Sequence, residues 1–405
     1  MRNEFNSNER KVASLLDHFP EAKKIIKFIY QRVQFIFNKK KFKYKLHDAI
    51  SAEGFSAKAN TFGGYYDKVL INSNNSVLCH KISKKSLNIC LNNKILDKSE
   101  SWNYQQGSML SFITDDTIIY NVFEDNQYKS VIREISSSKK TIIDHPIYTI
   151  SKSGDFAIGI NFERLGKNRP DYGYFNRSNP TIPADYEDGI FKYNFSNNQY
   201  KLILTLEELK AFNTIESMNG AEHWVNHIMI NHNEKRFMFL HRWSTKKGKI
   251  NSRLITSDCN GSNLYLLADE KMVSHCCWKD SKTIIGWMRK NGKDAYYELI
   301  DRTNTCSSIA SGVLTQDGHP SVSKSGEWLL TDTYPDKSRM SKLLLFNLVD
   351  SRLIEIGRFF SPLKWDVTKR CDLHPRFSED NNRISFDSEH EGFRGMYIVD
   401  IHNLI

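Results

Sequence analysis

Short apolar runs separated by polar turns recur along most of the chain. Gly318-His319-Pro320-Ser321-Val322-Ser323-Lys324-Ser325-Gly326-Glu327-Trp328-Leu329-Leu330-Thr331-Asp332 sets the pattern. It returns 55 residues on, without a gap, as His374-Pro375-Arg376-Phe377-Ser378-Glu379-Asp380-Asn381-Asn382-Arg383-Ile384-Ser385-Phe386-Asp387. Each copy predicts a short strand, a polar turn (Ser-Lys-Ser-Gly or Ser-Glu-Asp-Asn) and an alternating second strand. Anchored on His319, equivalent positions fall at Lys68, Gly107, Ile147, His227, His275, His319 and His374. A second-strand run follows each anchor, for example Phe156-Ala157-Ile158-Gly159-Ile160 and Arg236-Phe237-Met238-Phe239-Leu240. Two more strand signals complete a unit, as Leu343-Leu344-Leu345-Phe346 does before the turn at Val349-Asp350-Ser351. Four strands in roughly forty residues make one propeller blade. The seven anchors therefore predict an all-β chain, a seven-bladed β-propeller with four-stranded blades.

The interval from Ile147 to His227 is 80 residues, long enough for an insertion at about 161–188. That segment is rich in Arg, Asn, Pro and Tyr, and a loop of such length in a compact fold is usually a lid or binding segment. Ahead of the repeats, Pro20 to Lys45 reads as a helix followed by a basic tail. Ile25, Ile26, Phe28, Ile29, Val33, Phe35, Ile36 and Phe37 form its apolar side, with Lys23, Lys24, Lys27 and Arg32 opposite. Lys39, Lys40, Lys41, Lys43 and Lys45 follow. The expected organisation is a basic N-terminal amphipathic helical segment over 1–50 and the propeller over 51–405. The helix either lies on an anionic membrane surface or packs across the body of the protein.

Charge sharpens this division. The formal net charge is +10, yet residues 1–50 hold twelve Lys/Arg against five Asp/Glu, or +7, which leaves +3 for the rest. A nearly balanced propeller is not expected to bind nucleic acid. The seven cysteines are scattered and none is in CxxC spacing, which reads as reduced thiols in a cytosol. The N-terminus is polar and lacks a secretory leader, and no apolar run reaches the length of a membrane span. The expected location is cytoplasmic, peripheral on the inner face of the membrane.

Equivalent positions in successive blades form a ring about the propeller axis, so His227, His275, His319 and His374 should converge at one end of the channel. Neutral imidazoles in such a ring suit a divalent metal, manganese, calcium or zinc. The alternative is that each histidine only satisfies a backbone carbonyl. His241 and Arg242 end the second strand of one blade, and Arg370 leads into His374. Arg242 and Arg370 carry planar forks that match carboxylates. Asp332 and Asp387 recur with the repeat and are expected to brace turns within their own blades. Gly63-Gly64 reads as a turn into the first blade. No GxSxG elbow, P-loop or dinucleotide fingerprint is present, so no nucleotide cofactor is expected.

The Gln316-Asp317-Gly318-His319-Pro320-Ser321 stretch, the ring histidines and the seven-blade count resemble the oligogalacturonate lyases. Those are seven-bladed propellers whose divalent metal is held by histidines and a glutamine in a Gln-x-x-His-x-His pattern. Gln316 and His319 match two of its positions, and Ser321 stands where the last histidine would be. His374, His275 or His227 would then have to compensate. Phe62-Gly63-Gly64-Tyr65-Tyr66-Asp67-Lys68 and Arg370-Cys371-Asp372-Leu373-His374 are also similar to propeller proteins encoded in bacterial surface-polysaccharide loci. The resemblance implies a carbohydrate-active protein and an acidic glycan substrate. It implies lyase-type β-elimination in which a cation and Arg242 neutralise a uronate carboxylate, His241 takes the proton, and Tyr334 or Lys337 assists the leaving oxygen. A glycosyltransferase of surface-polysaccharide assembly and a non-catalytic propeller scaffold are the alternatives.

Overall fold

In the computed structural model, residues 20–405 are described apart from 54, 246–247 and 365–366. The polar N-terminus read from residues 1–19 lies outside them. Seven antiparallel sheets follow one another in chain order, so the seven-bladed propeller is what the chain forms. Blade 1 runs from Thr61 to Ser99, blade 2 from Ser111 to Ile143 and blade 3 from Thr149 to Thr205. Blade 4 spans Glu222–Ala268, blade 5 Val273–Ser308, blade 6 Ser321–Phe360 and blade 7 Arg376–Asp400. Blade 7 has three described strands, and blade 6 has a fifth, Tyr44–Leu46, paired antiparallel with Leu353–Phe360. The segment expected ahead of the propeller thus supplies one of its edge strands, and Ile50 enters the same core cluster as Trp328.

The repeated turn explains why the register was readable. Ser323 N donates to Trp328 O at 2.9 Å, Gly326 N donates to Ser323 O at 2.9 Å, and Ser323 Oγ accepts from Trp328 N at 3.1 Å. Blade 7 repeats all three around Ser378, with Asn381 where blade 6 has Gly326. Both residues take positive φ, 75° and 59°, a conformation that glycine and asparagine tolerate best. Each blade is buried on both faces, so its second strand is apolar throughout rather than alternating. Leu329 packs towards Ile285 and Tyr296 of blade 5, while Leu330 packs towards Ile384 and Tyr397 of blade 7. Blades 1 and 7 close the ring through Thr61, whose N donates to Arg394 O at 3.2 Å.

The insertion after Ile160 connects the second and third strands of blade 3. It folds into a short helix, Phe162–Asn168, capped by the Asn161 side chain. Arg164 Nε on Asp188 Oδ2 at 2.5 Å ties its two ends together. Second strands end, and first strands begin, on one face of the propeller. The insertion therefore rises from the face that carries the histidines.

Candidate functional site

Local backbone distortions aim the histidines inward. His227 sits at a bulge between Asn226 and Met229 with φ 54°, and His374 has φ 44°. His275 lies at a second bulge, between Val273 and Cys276. Bulges re-aim side chains, and the positive φ of His227 and His374 turns both rings out of regular strand alternation. At blade 6 the device is a glycine. A Cβ on Gly318 would stand 2.0 Å from Asp332 O, so only glycine lets His319 reach Asp332.

The four imidazoles form a continuous row of tilted and edge-on contacts. Ring centroids are 5.3 Å apart for His227–His275, 4.2 Å for His275–His319 and 4.3 Å for His319–His374. Tyr65 and Tyr66 fill the middle: Tyr65 lies 5.0 Å from the His374 ring and its hydroxyl reaches His227 at 2.5 Å. The cluster is deep, with the four histidines between 1% and 4% exposed.

Each ring is oriented by oxygen. His275 Nδ1 meets Asp317 Oδ1 at 3.1 Å, His319 Nδ1 meets Asp332 Oδ1 at 2.9 Å, and His374 Nδ1 donates to Gly64 O at 3.0 Å. Asp332 also accepts the backbone N–H groups of His319 and, in the next blade, His374. Asp387 of blade 7 likewise accepts from Gly63 N and Gly64 N of blade 1. Both aspartates brace across blade boundaries as well as within a blade, which the repeat alone did not indicate. The Gly63-Gly64 amides are accordingly occupied by a carboxylate.

Nε2 of His319 and Nε2 of His374 are buried without a hydrogen-bond partner. These two histidines and Asp372 can offer one ligand atom each, all within 4.8 Å of one another. Orphaned buried nitrogens need an explanation. An imidazole fixed at Nδ1 with Nε2 free is how metal-binding histidines are usually presented. The residues present fit a divalent cation. Burial opposes protonation of His319, but Asp332 with Asp372 and Asp317 outweighs it, and its pKa lies above the ordinary value. Burial, reinforced by neighbouring positive groups, holds His227 and His374 well below theirs.

Comparison with known proteins places the architecture. No family model matches the chain, and no curated protein does. Among solved structures it is similar to an oligogalacturonate lyase from Vibrio parahaemolyticus, at TM-score 0.59 and 12% identity, over 88% of this chain and 96% of that one. What is shared at that identity is the fold. TolB from Acinetobacter baumannii matches at TM-score 0.38 and 12% identity, over 77% of this chain and 65% of that one. The tricorn protease matches at TM-score 0.48 and 8% identity, over 86% and 36%.

The remaining residues singled out in the sequence separate into two groups. Arg242, Tyr334 and Arg370 border the histidines. Tyr334 lies 5.8 Å from the His319 ring. Arg370 pairs with Asp372 Oδ2 at 2.9 Å and with Asp171 Oδ2 of the insertion at 2.7 Å. Arg242 is buried and donates to Asn226 Oδ1 at 2.9 Å, with no carboxylate partner among the described residues. Burial first, then Arg169, lowers its pKa to about 10. His241 lies elsewhere: one ring nitrogen meets His223 Nδ1 at 2.8 Å, and the other accepts from Arg253 Nε at 3.1 Å. Neighbours on a strand point to opposite sides, so Arg242 reaches the chamber and His241 the packing beneath blade 4. Gln316 and Lys337 sit half-buried in the loops that carry Asp317 and Tyr334.

Four partners carried no recognisable signal of their own: Tyr65, Tyr66, Asp372 and the insertion's Tyr172. Tyr172 packs edge-on to His227 at 6.0 Å and so covers the cluster. Glu389, near the same face, has both carboxylate oxygens buried without a hydrogen bond, its nearest cation being the Arg394 guanidinium 3.4 Å from Oε1. Its burial, partly offset by Arg394, raises its pKa to about 8. The folded chain thus keeps a proton between pH ~4.5 and ~8 that the unfolded chain has lost, and stability contributed by Glu389 falls across that window as pH rises. Glu389→Gln is expected to flatten this slope, measured by denaturant melts at pH 5 and pH 8, and to raise stability at the higher pH by ~1–3 kcal/mol. An unchanged slope contradicts a proton on Glu389.

Proposed function

We propose that this chamber binds an acidic sugar or oligosaccharide and carries out a lyase-type β-elimination on it. The observation that carries the reading is Arg242: a buried guanidinium without a carboxylate of its own, beside a cluster able to hold a metal. Buried charges are ordinarily paired, and a substrate carboxylate would supply the pair through the planar fork. A divalent cation held by His319, His374 and Asp372 would supply Lewis-acid stabilisation of charge developing on the substrate. Two imidazole nitrogens and one carboxylate oxygen suit zinc or manganese and argue against calcium, which takes oxygen ligands.

In the elimination, the C–H bond beside the carboxylate breaks, its electron pair forms the C=C bond, and the glycosidic C–O bond breaks as its oxygen gains a proton. His241 has its two nitrogens engaged by two different residues, so the base role passes to His227, which burial keeps neutral and whose two nitrogens face, among the described residues, only the Tyr65 hydroxyl, at 3.0 and 2.5 Å, leaving one of them for the proton. Tyr334, held protonated by burial and by Asp372, serves as the acid towards the leaving oxygen. Arg370 holds the Asp372 carboxylate in place through its Nε, 2.9 Å from Oδ2. The test is incubation with oligogalacturonate and other uronate-containing oligosaccharides, following the ultraviolet absorbance of the conjugated unsaturated product. A metal-dependent rise that disappears in His227→Ala supports the reading. Binding of uronides without product removes the catalytic part of it. No binding to any uronide ends it.

Depth of burial favours a second reading, a metal or histidine core that only ties the blades together, since Tyr65, Tyr66 and Tyr172 close over the cluster. Metal content that is retained with no affinity for any anionic sugar would select that reading.

A further inference from the structure

The helix Pro20–Asn38 leaves a large apolar surface uncovered. Ile25, Ile26, Ile29, Val33, Ile36 and Phe37 are between 42% and 83% exposed. At 3.6 residues per turn these six fall within an arc of about 120°. Phe35 lies outside that arc and stacks on Phe360 of blade 6 at 5.5 Å. The helix is thus held by one side and open on another. Lys39, Lys40, Lys41, Lys43 and Lys45 follow it, all exposed.

The attachment fixes a direction. Phe360 ends the fourth strand of blade 6, Leu353–Phe360, and pairs with Met340, next to the loop of Tyr334. That is the face of the histidine cluster. The strand Tyr44–Leu46 clamps the basic segment to the same rim, with Tyr44 opposite Phe359.

We propose that this helix and its lysines dock the protein on an anionic lipid bilayer, with the histidine face turned towards the membrane. An apolar arc next to a cluster of like charges is complementary to acyl chains beneath anionic headgroups. Among the described residues no helix is long and apolar enough to cross a membrane, and the arrangement is that of a surface helix. The face presented to the bilayer is the one that would meet a glycan carried on a lipid. Docking itself needs neither the metal nor the elimination chemistry.

Full-length protein should cosediment with vesicles of phosphatidylcholine containing phosphatidylglycerol, and far less with phosphatidylcholine alone. Raising salt should release it, since surface charges are screened over ~10 Å at 0.1 M. The triple variant Lys39→Gln, Lys40→Gln, Lys41→Gln should lose partitioning roughly 100-fold. Ile29→Asp with Ile36→Asp should lose it as well, and both sets are exposed enough to leave the melting temperature unchanged. For orientation, a fluorophore at Lys364→Cys, whose Nζ reaches Gly392 O on the histidine face at 2.9 Å, should be quenched by a lipid-borne quencher. One at Ser325→Cys, in the turn on the opposite face, should not. Equal binding to neutral vesicles, or none to anionic ones, overturns the proposal. So does a dimer in sedimentation equilibrium that Ile29→Asp with Ile36→Asp dissociates, because a second copy would then cover the arc. Stronger quenching at Ser325→Cys overturns the orientation.

Discussion

Replacing His319 with alanine is expected to abolish divalent-metal binding at the proposed site and leave a folded propeller of modestly lower stability. The imidazole supplies one of three donors whose atoms come within 4.8 Å. Loss of one donor from so small a set leaves two, too few to compete with water and buffer for the ion. The fold is protected because Asp332 keeps two backbone donors, His319 N at 2.8 Å and His374 N at 3.1 Å. What is lost is one charge-assisted contact and the buried ring, a cost of ~1–3 kcal/mol. His374→Ala should behave alike. His227→Ala is the informative control, since His227 lies outside the three-residue set and should keep the metal. Metal content by mass spectrometry beside melting temperature checks all three variants. Full metal content in His319→Ala, with only a fall in melting temperature, would sink the metal site and return these rings to a structural role.

How far the sequence reached follows from which interactions are local. The turns at Ser323 and Ser378 are made within six residues, and their chemistry repeats with the blade. The register, the seven blades and the shared position of four histidines were therefore readable. Contacts across blade boundaries were not. Asp372 joins His319 from the neighbouring blade, and Asp171 and Tyr172 arrive from an insertion about 200 residues before Arg370. Nothing local marks such partners. The Tyr65-Tyr66 pair was visible only as residues after a glycine turn, because its histidine neighbours come from four different blades, the first of them 162 residues on. His241 shows a different limit. Its place beside Arg242 was plain, but the strand Arg236–Ser244 is buried at every position up to Trp243, so no alternation of exposure tells which of two adjacent residues faces the axis. The strand Tyr44–Leu46 was hidden in a basic tail because an outer edge strand can be half solvated and needs no apolar run.

Arg242→Met is expected to make the protein more stable and to weaken the proposed binding of acidic sugars roughly 100-fold or more. The guanidinium is buried and, among the described residues, has a single neutral hydrogen-bond partner, Asn226 Oδ1. Burial, with Arg169 adding like charge, pushes its pKa down to about 10. A depressed arginine pKa means that the folded state holds the charge at a cost. Methionine keeps much of the side chain's volume and removes that charge, at the expense of one hydrogen bond to Asn226. The net gain should be ~1–3 kcal/mol, read as a higher denaturant midpoint. Binding should move the other way, since the carboxylate loses a desolvated bidentate partner; a fall of 100-fold or more corresponds to ~3 kcal/mol. Lysine at this position keeps the charge but not the fork, and should recover only part of the affinity. This opposition separates a binding group from a structural one. A structural arginine loses stability when truncated, whereas a group kept unpaired for its ligand gains it. If Arg242→Met melts lower than the parent and binds uronides equally well, Arg242 is not the carboxylate receptor, and the chamber's claim on acidic sugars falls with it.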